Sequence, residues 1–136
     1  ERYENLLDAG AGSCVLRDAE NAAIVHAALR FFEGRRYSLD EYVIMPNHVH
    51  VLVKPIVGHG LAAILHSWKS FTAKRINRRL GRTGRLWQQE SYDHIVRSDA
   101  AMRAIRRYIR ENPKAADGCG SEFRDGSSAL PQPSPE

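Results

Sequence analysis

The order of patterned segments predicts an α+β fold. Residues 19–32 and 61–80 carry apolar side chains at helical spacing, and 99–111 form a third helical segment. Residues 37–44, 48–53 and 92–96 have the composition of strands. The first two strands are separated only by Met45-Pro46-Asn47, a spacing short enough for an antiparallel pair. The order helix, strand, strand, helix, strand, helix therefore predicts helices combined with an antiparallel sheet.

Capping residues mark the expected ends of the helices. Asp18 is a candidate N-cap for the first helix, and Gly34 a candidate stop. Gly81 is expected to end the second helix. Ser98 is a candidate N-cap for the third helix, and Pro113 is expected to stop it.

The remaining segments are less strongly patterned. Residues 1–13 show no clear period, and 14–16 fit either a short strand or a loop. Leu86-Trp87 has strand-like composition. We expect residues 1–116 to form one domain and residues 117–136, which are rich in Gly, Ser and Pro, to form an extended or mobile tail.

Composition is that of a soluble globular protein. The 136 residues are 43% hydrophobic and 26% charged, which suits one domain and argues against collagenous and fully disordered classes. No run approaches the ~18 apolar residues of a membrane span, and no leader pattern opens the chain. Two cysteines, Cys14 and Cys119, are too few for a disulfide framework. We therefore expect a cytoplasmic protein with no membrane partner.

Positive charge is concentrated in one block. Residues 61–113 contain twelve Lys and Arg against four Asp and Glu, whereas acidic residues are in excess in 1–60 and in 114–136. A localised basic block is typical of a surface that binds a polyanion, most often nucleic acid. A solvated pair of Arg-rich helices would give the same count.

Two histidines form the first candidate site. His48 and His50 stand at i and i+2 on a predicted strand, so their side chains project from the same face. Two imidazoles can bind one divalent ion such as Zn²⁺ or Mn²⁺, although a bare pair of this kind is more often structural. Further ligands would have to come from elsewhere, and the candidates are His26, His59, His66, His94 and Asn112.

Several separated motifs follow one another along the chain. They are residues 42–53 (YVIMPNHVHVLV), 66–72 (HSWKSFT), 86–93 (LWQQESYD) and 108–113 (YIRENP). The sequence resembles the single-tyrosine (Y1) HUH transposases, and among them the REP-associated tyrosine transposases, which are relatives of the IS200/IS605 group. The resemblance extends over roughly residues 3–116.

The resemblance implies a ferredoxin-like antiparallel sheet with helices packed on one face. The histidines would lie on a central strand. The family usually has a strand before the first helix, but the chain opens at Glu1-Arg2-Tyr3 without a convincing strand pattern. The first strand is therefore expected to be missing or degenerate, which would weaken the sheet and the activity.

Tyr108 is the candidate nucleophile by the same resemblance. Ile105 and Ile109 are its neighbours on the third helix, and Asn112 follows at i+4 on the same helix face. The resemblance implies that Tyr108 attacks DNA and that Asn112 joins His48 and His50 around a divalent metal, Mg²⁺ or Mn²⁺. Without the resemblance, Tyr108 would be interpreted as a packed helix residue, and Tyr92 as a core or edge aromatic. Because a residue before proline avoids the helical region, Asn112 is expected to lie just outside the helix.

The basic residues of the second and third helices are candidate phosphate contacts. Such contacts would add affinity and little sequence information. Trp68 at helical spacing favours a core position, while Trp87 is left open. The candidate DNA-binding residues are Lys69, Lys74, Arg75, Arg78, Arg79, Arg82, Arg103, Arg106, Arg107 and Arg110.

The function expected from these features is cleavage and rejoining of single-stranded, hairpin-bearing DNA through a 5′-phosphotyrosine intermediate. The partner would be single-stranded DNA with hairpin-forming repeats, bound by a monomer or a homodimer. The alternatives are a nucleic-acid-binding ferredoxin-like domain without catalysis and a metal-dependent hydrolase with a water nucleophile.

Overall fold

In the part of the chain that it describes, the computed structural model contains a four-stranded antiparallel sheet, three α-helices and one 3₁₀ turn. It describes residues 1–10, 13–89 and 92–115, without the side chains of residues 92 and 112–115. In chain order the elements are β1 (Arg2–Asp8), a 3₁₀ turn (Val15–Arg17), α1 (Ala19–Phe31), β2 (Tyr37–Ile44), β3 (His48–Pro55), α2 (Leu61–Leu80), β4 (Tyr92–Val96) and α3 (Asp99–Ala115). The α+β prediction is confirmed.

The sheet has the order β2-β3-β1-β4, so β3 and β1 are its central strands. β2 and β3 form the predicted hairpin. The N-terminal segment, predicted to lack a strand, is β1 and pairs with both β3 and β4. That prediction is wrong. The strand was not recognised because both of its faces carry polar residues. Buried Asn5 interrupts the apolar pattern on one face, and Glu4 interrupts it on the other.

The helices divide between the two faces of the sheet. α1 and α2 cover the face that carries Val49, Val51 and Val53 of β3, where most of the core lies. α3 covers the opposite face, where Met102 and Ile109 pack with Leu52. This differs from the expectation of helices on one face only. It follows from the apolar stripe of α3, which matches a second, smaller apolar patch on the sheet.

Local signals explain most helix ends. The side chain of Asp18 accepts hydrogen bonds from the backbone N–H groups of Glu20 and Asn21 at the start of α1. Gly81, with φ of +67°, follows α2 in the left-handed conformation that glycine adopts readily. At the start of α3 the Ser98 hydroxyl accepts from Ala101 N–H at 3.0 Å.

Two predicted segments differ in detail. α3 runs to Ala115, through Pro113, so the expected stop at that proline is wrong and Asn112 lies within the helix. Leu86 and Trp87 form no strand; both are buried against the α1–α2 face. The indole N–H of Trp87 donates to Thr72 Oγ1 at 2.9 Å, and this buried partner satisfies its only polar group.

The core aromatics form a hydrogen-bonded chain. The Trp68 indole donates to the Tyr37 hydroxyl at 3.0 Å, which donates to the carbonyl of Leu29 at 2.6 Å. Burial raises the pKa of Tyr37. Trp68 is therefore a core residue, as its spacing predicted.

A β-bulge in β2 shapes the sheet edge beside α3. Leu39 pairs with Val53 and Tyr42 pairs with Val51, so Asp40 and Glu41 together stand opposite one residue of β3. Their carboxylates meet Arg106 and Arg110 of α3. Consecutive strand residues normally point to opposite faces. The bulge is what allows both acids to hold the same helix.

No helix in the described ranges is long and apolar enough to cross a membrane. The predicted tail, 117–136, and Cys119 lie outside the described residues, so the prediction for the tail stays a prediction.

Candidate active site

The histidine pair lies on β3, at the centre of the sheet, on the face that α3 covers. His48 pairs across the sheet with Asp8, and His50 with Leu6. Residues opposite each other in an antiparallel pair share a face. His48 and His50 therefore share their face with alternate residues of β1, as the i, i+2 spacing predicted.

Tyr108 lies beside His50. The two ring centroids are 5.5 Å apart, with the ring planes inclined at 60°. Tyr108 is 55% exposed, whereas Ile109, the next residue, is fully buried beneath α3. The helix is thus fixed by its apolar face while the phenol stays accessible at the margin of the site.

A cavity of about 400 Å³ opens between α3 and the sheet at this point. Tyr108 and His50 both line it, so a molecule bound in the cavity would touch the phenol and the imidazole together. The other lining residues are Glu4, Leu6, Ala104 and Ile105.

Burial favours the neutral form of both imidazoles. It lowers the pKa of His48, assisted by the neighbouring His50 and opposed by Asp8. It also lowers the pKa of His50, opposed by the charge and hydrogen bond of Glu4. A neutral imidazole retains a lone pair, which is the form that binds metal ions.

Each imidazole has a defined partner. His48 Nδ1 lies 3.0 Å from Oδ1 of Asn47, and His50 Nε2 lies 3.1 Å from Oε2 of Glu4. The other oxygen of Glu4 lies 3.5 Å from Nδ1 of His94 on β4. Glu4 was missed by sequence reasoning because β1 was not recognised. Residues 2–8 carry no clear alternation that could have found it, because polar Glu4 and Asn5 are adjacent and so are apolar Leu6 and Leu7.

The donor set fits a divalent cation in part. Two neutral imidazoles on one face supply two nitrogen ligands of the kind that Mn²⁺ accepts. Within the described part of the chain, no group of three or more His, Cys, Asp and Glu side chains is arranged to hold a metal ion. Asn112, the predicted third ligand, lies on α3 one turn after Tyr108, and its side chain is outside the described residues.

The other candidate histidine ligands lie elsewhere. His26 of α1 contacts the Tyr42 hydroxyl, and burial lowers its pKa, as does the charge of Arg30. His59 is exposed in the loop before α2, and His66 lines a groove beside α2. Of these candidates, only His94 approaches the pair, through Glu4.

The predicted DNA-binding residues divide between the two faces of the molecule. Those of α2 lie with α1 on the face opposite the histidines, and those of α3 lie beside Tyr108. On α2 and just after it, Lys74, Arg75, Arg78 and Arg82 are exposed, and on α3 Arg103 and Arg107 are exposed.

Three of the predicted contacts form ion pairs between elements of the fold. Arg79 pairs with Asp18 and Glu20 and donates to Asn21, joining α2 to α1. Arg106 makes two hydrogen bonds to Asp40, at 2.8 and 2.6 Å, and Arg110 pairs with Glu41 at 2.7 Å. A phosphate contact by any of these would have to compete with its carboxylate.

Lys69 lies in the groove beside α2, a cavity of about 650 Å³. Burial lowers its pKa. Polar side chains accompany it along the groove: His66, Ser70, Arg85, Gln88, Gln89 and Asp93.

Comparison with known proteins identifies relatives of this arrangement. The family model described as "Transposase IS200 like" matches residues 15–112. No curated protein matches the sequence.

Two solved structures share the fold. The structure of a REP-associated tyrosine transposase bound to a REP hairpin superposes with a TM-score of 0.63 and 18% identity. The match covers 84% of this chain and 66% of that chain, so the sequence spans just under two thirds of that relative. A structure provisionally assigned as a transposase, from Deinococcus radiodurans R1, gives a TM-score of 0.57 and 20% identity, with coverage of 82% and 89%.

Proposed function

The chain belongs to the IS200-like transposase family, and on this premise we propose that it cleaves and rejoins single-stranded DNA, with Tyr108 as the nucleophile. The observation that carries the proposal is the exposed phenol of Tyr108 against the imidazole of His50, at the edge of one shared cavity. The phenol is accessible to a DNA backbone, and the neighbouring imidazoles can hold a charge-stabilising group beside it.

The proposed step is an in-line displacement at one phosphodiester. The phenolic oxygen of Tyr108 gives up its proton and forms a bond to phosphorus. The bond from phosphorus to the 3′-oxygen of the upstream nucleotide breaks, and that oxygen takes a proton to become a free 3′-hydroxyl. The downstream strand stays attached to Tyr108 through its 5′-phosphate. Attack by another 3′-hydroxyl reverses the step and rejoins DNA without ATP.

A divalent metal, Mg²⁺ or Mn²⁺, would be held by His48 and His50, with Asn112 as the proposed third ligand. When bound, such an ion stabilises negative charge at the scissile phosphate. An ordinary phenol has a pKa near 10 and is a weak nucleophile at neutral pH, so this help matters.

The substrate is proposed to be a single strand that carries a hairpin. A REP hairpin is bound in the structure of one relative, and this chain presents exposed basic residues on α2 and α3. An unpaired backbone can lie along such a surface, and phosphate contacts would supply most of the affinity.

The test is formation of a covalent adduct with labelled DNA. The protein is incubated with Mn²⁺ and a hairpin-bearing oligonucleotide labelled at its 3′ or at its 5′ end. We expect the 3′ label to comigrate with denatured protein and the 5′ label to appear on a shorter free strand. This polarity identifies a 5′-phosphotyrosine.

Two tyrosine variants provide the matched comparison. Tyr108→Phe should abolish the adduct and leave DNA binding intact, whereas Tyr92→Phe should retain it. Loss of the adduct in Tyr92→Phe alone would show that the wrong tyrosine was assigned. DNA binding without cleavage by the unmodified chain would favour the non-catalytic binding domain, and hydrolysis of a small ester without an adduct would favour the hydrolase.

A further inference from the structure

Glu4 of β1 has one partner in the histidine motif and one outside it. Oε2 lies 3.1 Å from Nε2 of His50, and Oε1 lies 3.5 Å from Nδ1 of His94. The sheet fixes this arrangement, since Glu4 pairs with Leu52 on one side and with His94 on the other. The carboxylate therefore stands between β3 and β4 on the face that α3 covers.

We propose that Glu4 is a positioning residue that holds His50 as the Nε2–H tautomer, leaving Nδ1 with the lone pair available to a cation; this rests on the proposed function. A carboxylate accepts hydrogen bonds and has no proton to give, so Nε2 must be the donor. A neutral imidazole has one N–H, so a proton on Nε2 leaves Nδ1 without one.

His48 is held in the opposite sense. Its Nδ1 faces the amide oxygen of Asn47 at 3.0 Å, which accepts a hydrogen bond and leaves Nε2 of His48 with the lone pair. The two imidazoles of the motif therefore keep their lone pairs on different nitrogens, Nε2 in His48 and Nδ1 in His50. The hydrogen-bond partner of a metal-binding histidine commonly fixes its tautomer. Here a carboxylate does so for His50 and an amide for His48.

Burial strengthens the hydrogen bond between His50 and Glu4. The side chains of His50 and Glu4 are 7% and 17% exposed, so water competes little for either group. Hydrogen bonds from a neutral donor to a charged acceptor are roughly twice as strong as neutral pairs. Removing such an outer partner typically costs 10–100-fold in metal affinity.

The first experiment determines the tautomer of His50 directly. Long-range ¹H–¹⁵N spectra of the histidine side chains are recorded on the full chain, free of metal and DNA, at pH 7.5. We expect His50 to have a protonated Nε2 and an unprotonated Nδ1, and Glu4→Ala to shift the ratio of the two tautomers at least tenfold towards Nδ1–H. Glu4→Gln should restore the wild-type spectrum, because its amide oxygen can also accept. An Nδ1–H tautomer in the wild-type chain, or no change in Glu4→Ala, would overturn the proposal.

The second experiment determines which nitrogens bind a cation and how tightly it is bound. With ¹¹³Cd²⁺ as the probe, coupling to ¹⁵N should appear at Nδ1 of His50 and at Nε2 of His48. Titration calorimetry with Mn²⁺ should show affinity reduced about 10-fold or more in Glu4→Ala and unchanged in Glu33→Ala, an exposed acid far from the site. Coupling to Nε2 of His50 would refute the assignment.

The two proposals can fail separately. The metal-free spectra require neither DNA nor cleavage, so a protein that shows the expected tautomer and never forms an adduct refutes the proposed function alone. A protein that forms the Tyr108 adduct while His50 carries its proton on Nδ1 refutes the role of Glu4 alone.

Discussion

The ring of Tyr108 meets the imidazole of His50 with 5.5 Å between centroids. One residue lies on a surface helix and the other on a central strand, so the contact depends on how α3 docks onto the sheet. Two kinds of contact hold that helix: the apolar packing of Met102 and Ile109 on Leu52, and the arginines that reach the β2 bulge. The position of the phenol is therefore a consequence of packing on its own helix.

Ile109→Ala should loosen α3 and displace Tyr108. Ile109 is fully buried, and truncation of a buried isoleucine to alanine typically costs 2–5 kcal/mol. We expect a lower urea midpoint and an adduct yield reduced at least tenfold, with Ile109→Val close to wild type in both. Wild-type adduct yield in a folded Ile109→Ala protein would show that docking of α3 does not set the reactive geometry.

Arg106→Gln should reduce stability more than DNA affinity. Arg106 makes two hydrogen bonds to Asp40, and both side chains are partly exposed. Charge-assisted pairs of this exposure are worth about 1 kcal/mol. The matched control is Arg107→Gln, one residue further on an exposed position of the same helix. Urea denaturation of both variants checks the difference, and equal losses would contradict it.

Arg103 and Arg107 should contribute to the salt dependence of DNA binding on the side of the molecule formed by α3. Each phosphate neutralised contributes about 0.7 to the slope of log affinity against log salt for single strands. Arg103→Gln and Arg107→Gln should each lower that slope by about this amount, measured by fluorescence anisotropy with one oligonucleotide at several salt concentrations. An unchanged slope in both variants would place the DNA elsewhere.

Much of the fold follows from local patterns, and the exceptions have physical causes. α2 is predicted by apolar residues at helical spacing between two glycines, and the β2–β3 pair by two segments of strand composition on either side of Met45-Pro46-Asn47. β1 is hidden because Glu4 and Asn5 are polar residues in a central strand. The bulge at Asp40 is invisible in sequence, since it depends on register with β3.

The candidate site was predictable only where neighbours in sequence are neighbours in space. The spacing of His48 and His50 places both on one face without further information. Glu4 reaches His50 only because β1 pairs with β3. The spacing of residues within one segment cannot predict which strands pair. Charge alone also could not separate Arg79, which joins two helices, from exposed Arg78 beside it.

Arg79→Gln should therefore destabilise the fold, while Arg78→Gln should not. Arg79 is held by Asp18, Glu20 and Asn21 of α1. Burial raises the pKa of Asp18, but its backbone hydrogen bonds and Arg79 outweigh that effect and hold the pKa below its usual value. We expect a lower urea midpoint for Arg79→Gln alone and weaker DNA binding for Arg78→Gln alone. If Arg79→Gln bound DNA more weakly and kept wild-type stability, Arg79 would be a DNA contact and this prediction would be wrong.

Stability should fall as the pH drops from 7.5 to 5.5, and His26 should account for part of the fall. Burial, with the charge of Arg30, lowers the pKa of His26 below its ordinary value of 6.5. Between that lowered pKa and 6.5 the unfolded chain binds more protons than the folded chain, so the free energy of unfolding rises with pH. Urea midpoints at the two pH values, with EDTA present, should differ less in His26→Gln than in wild type, while a residual difference remains from His48 and His50, whose pKa values burial also lowers. His59→Gln, at an exposed loop position, should behave as wild type. An undiminished pH dependence in His26→Gln would show that this buried imidazole does not resist protonation.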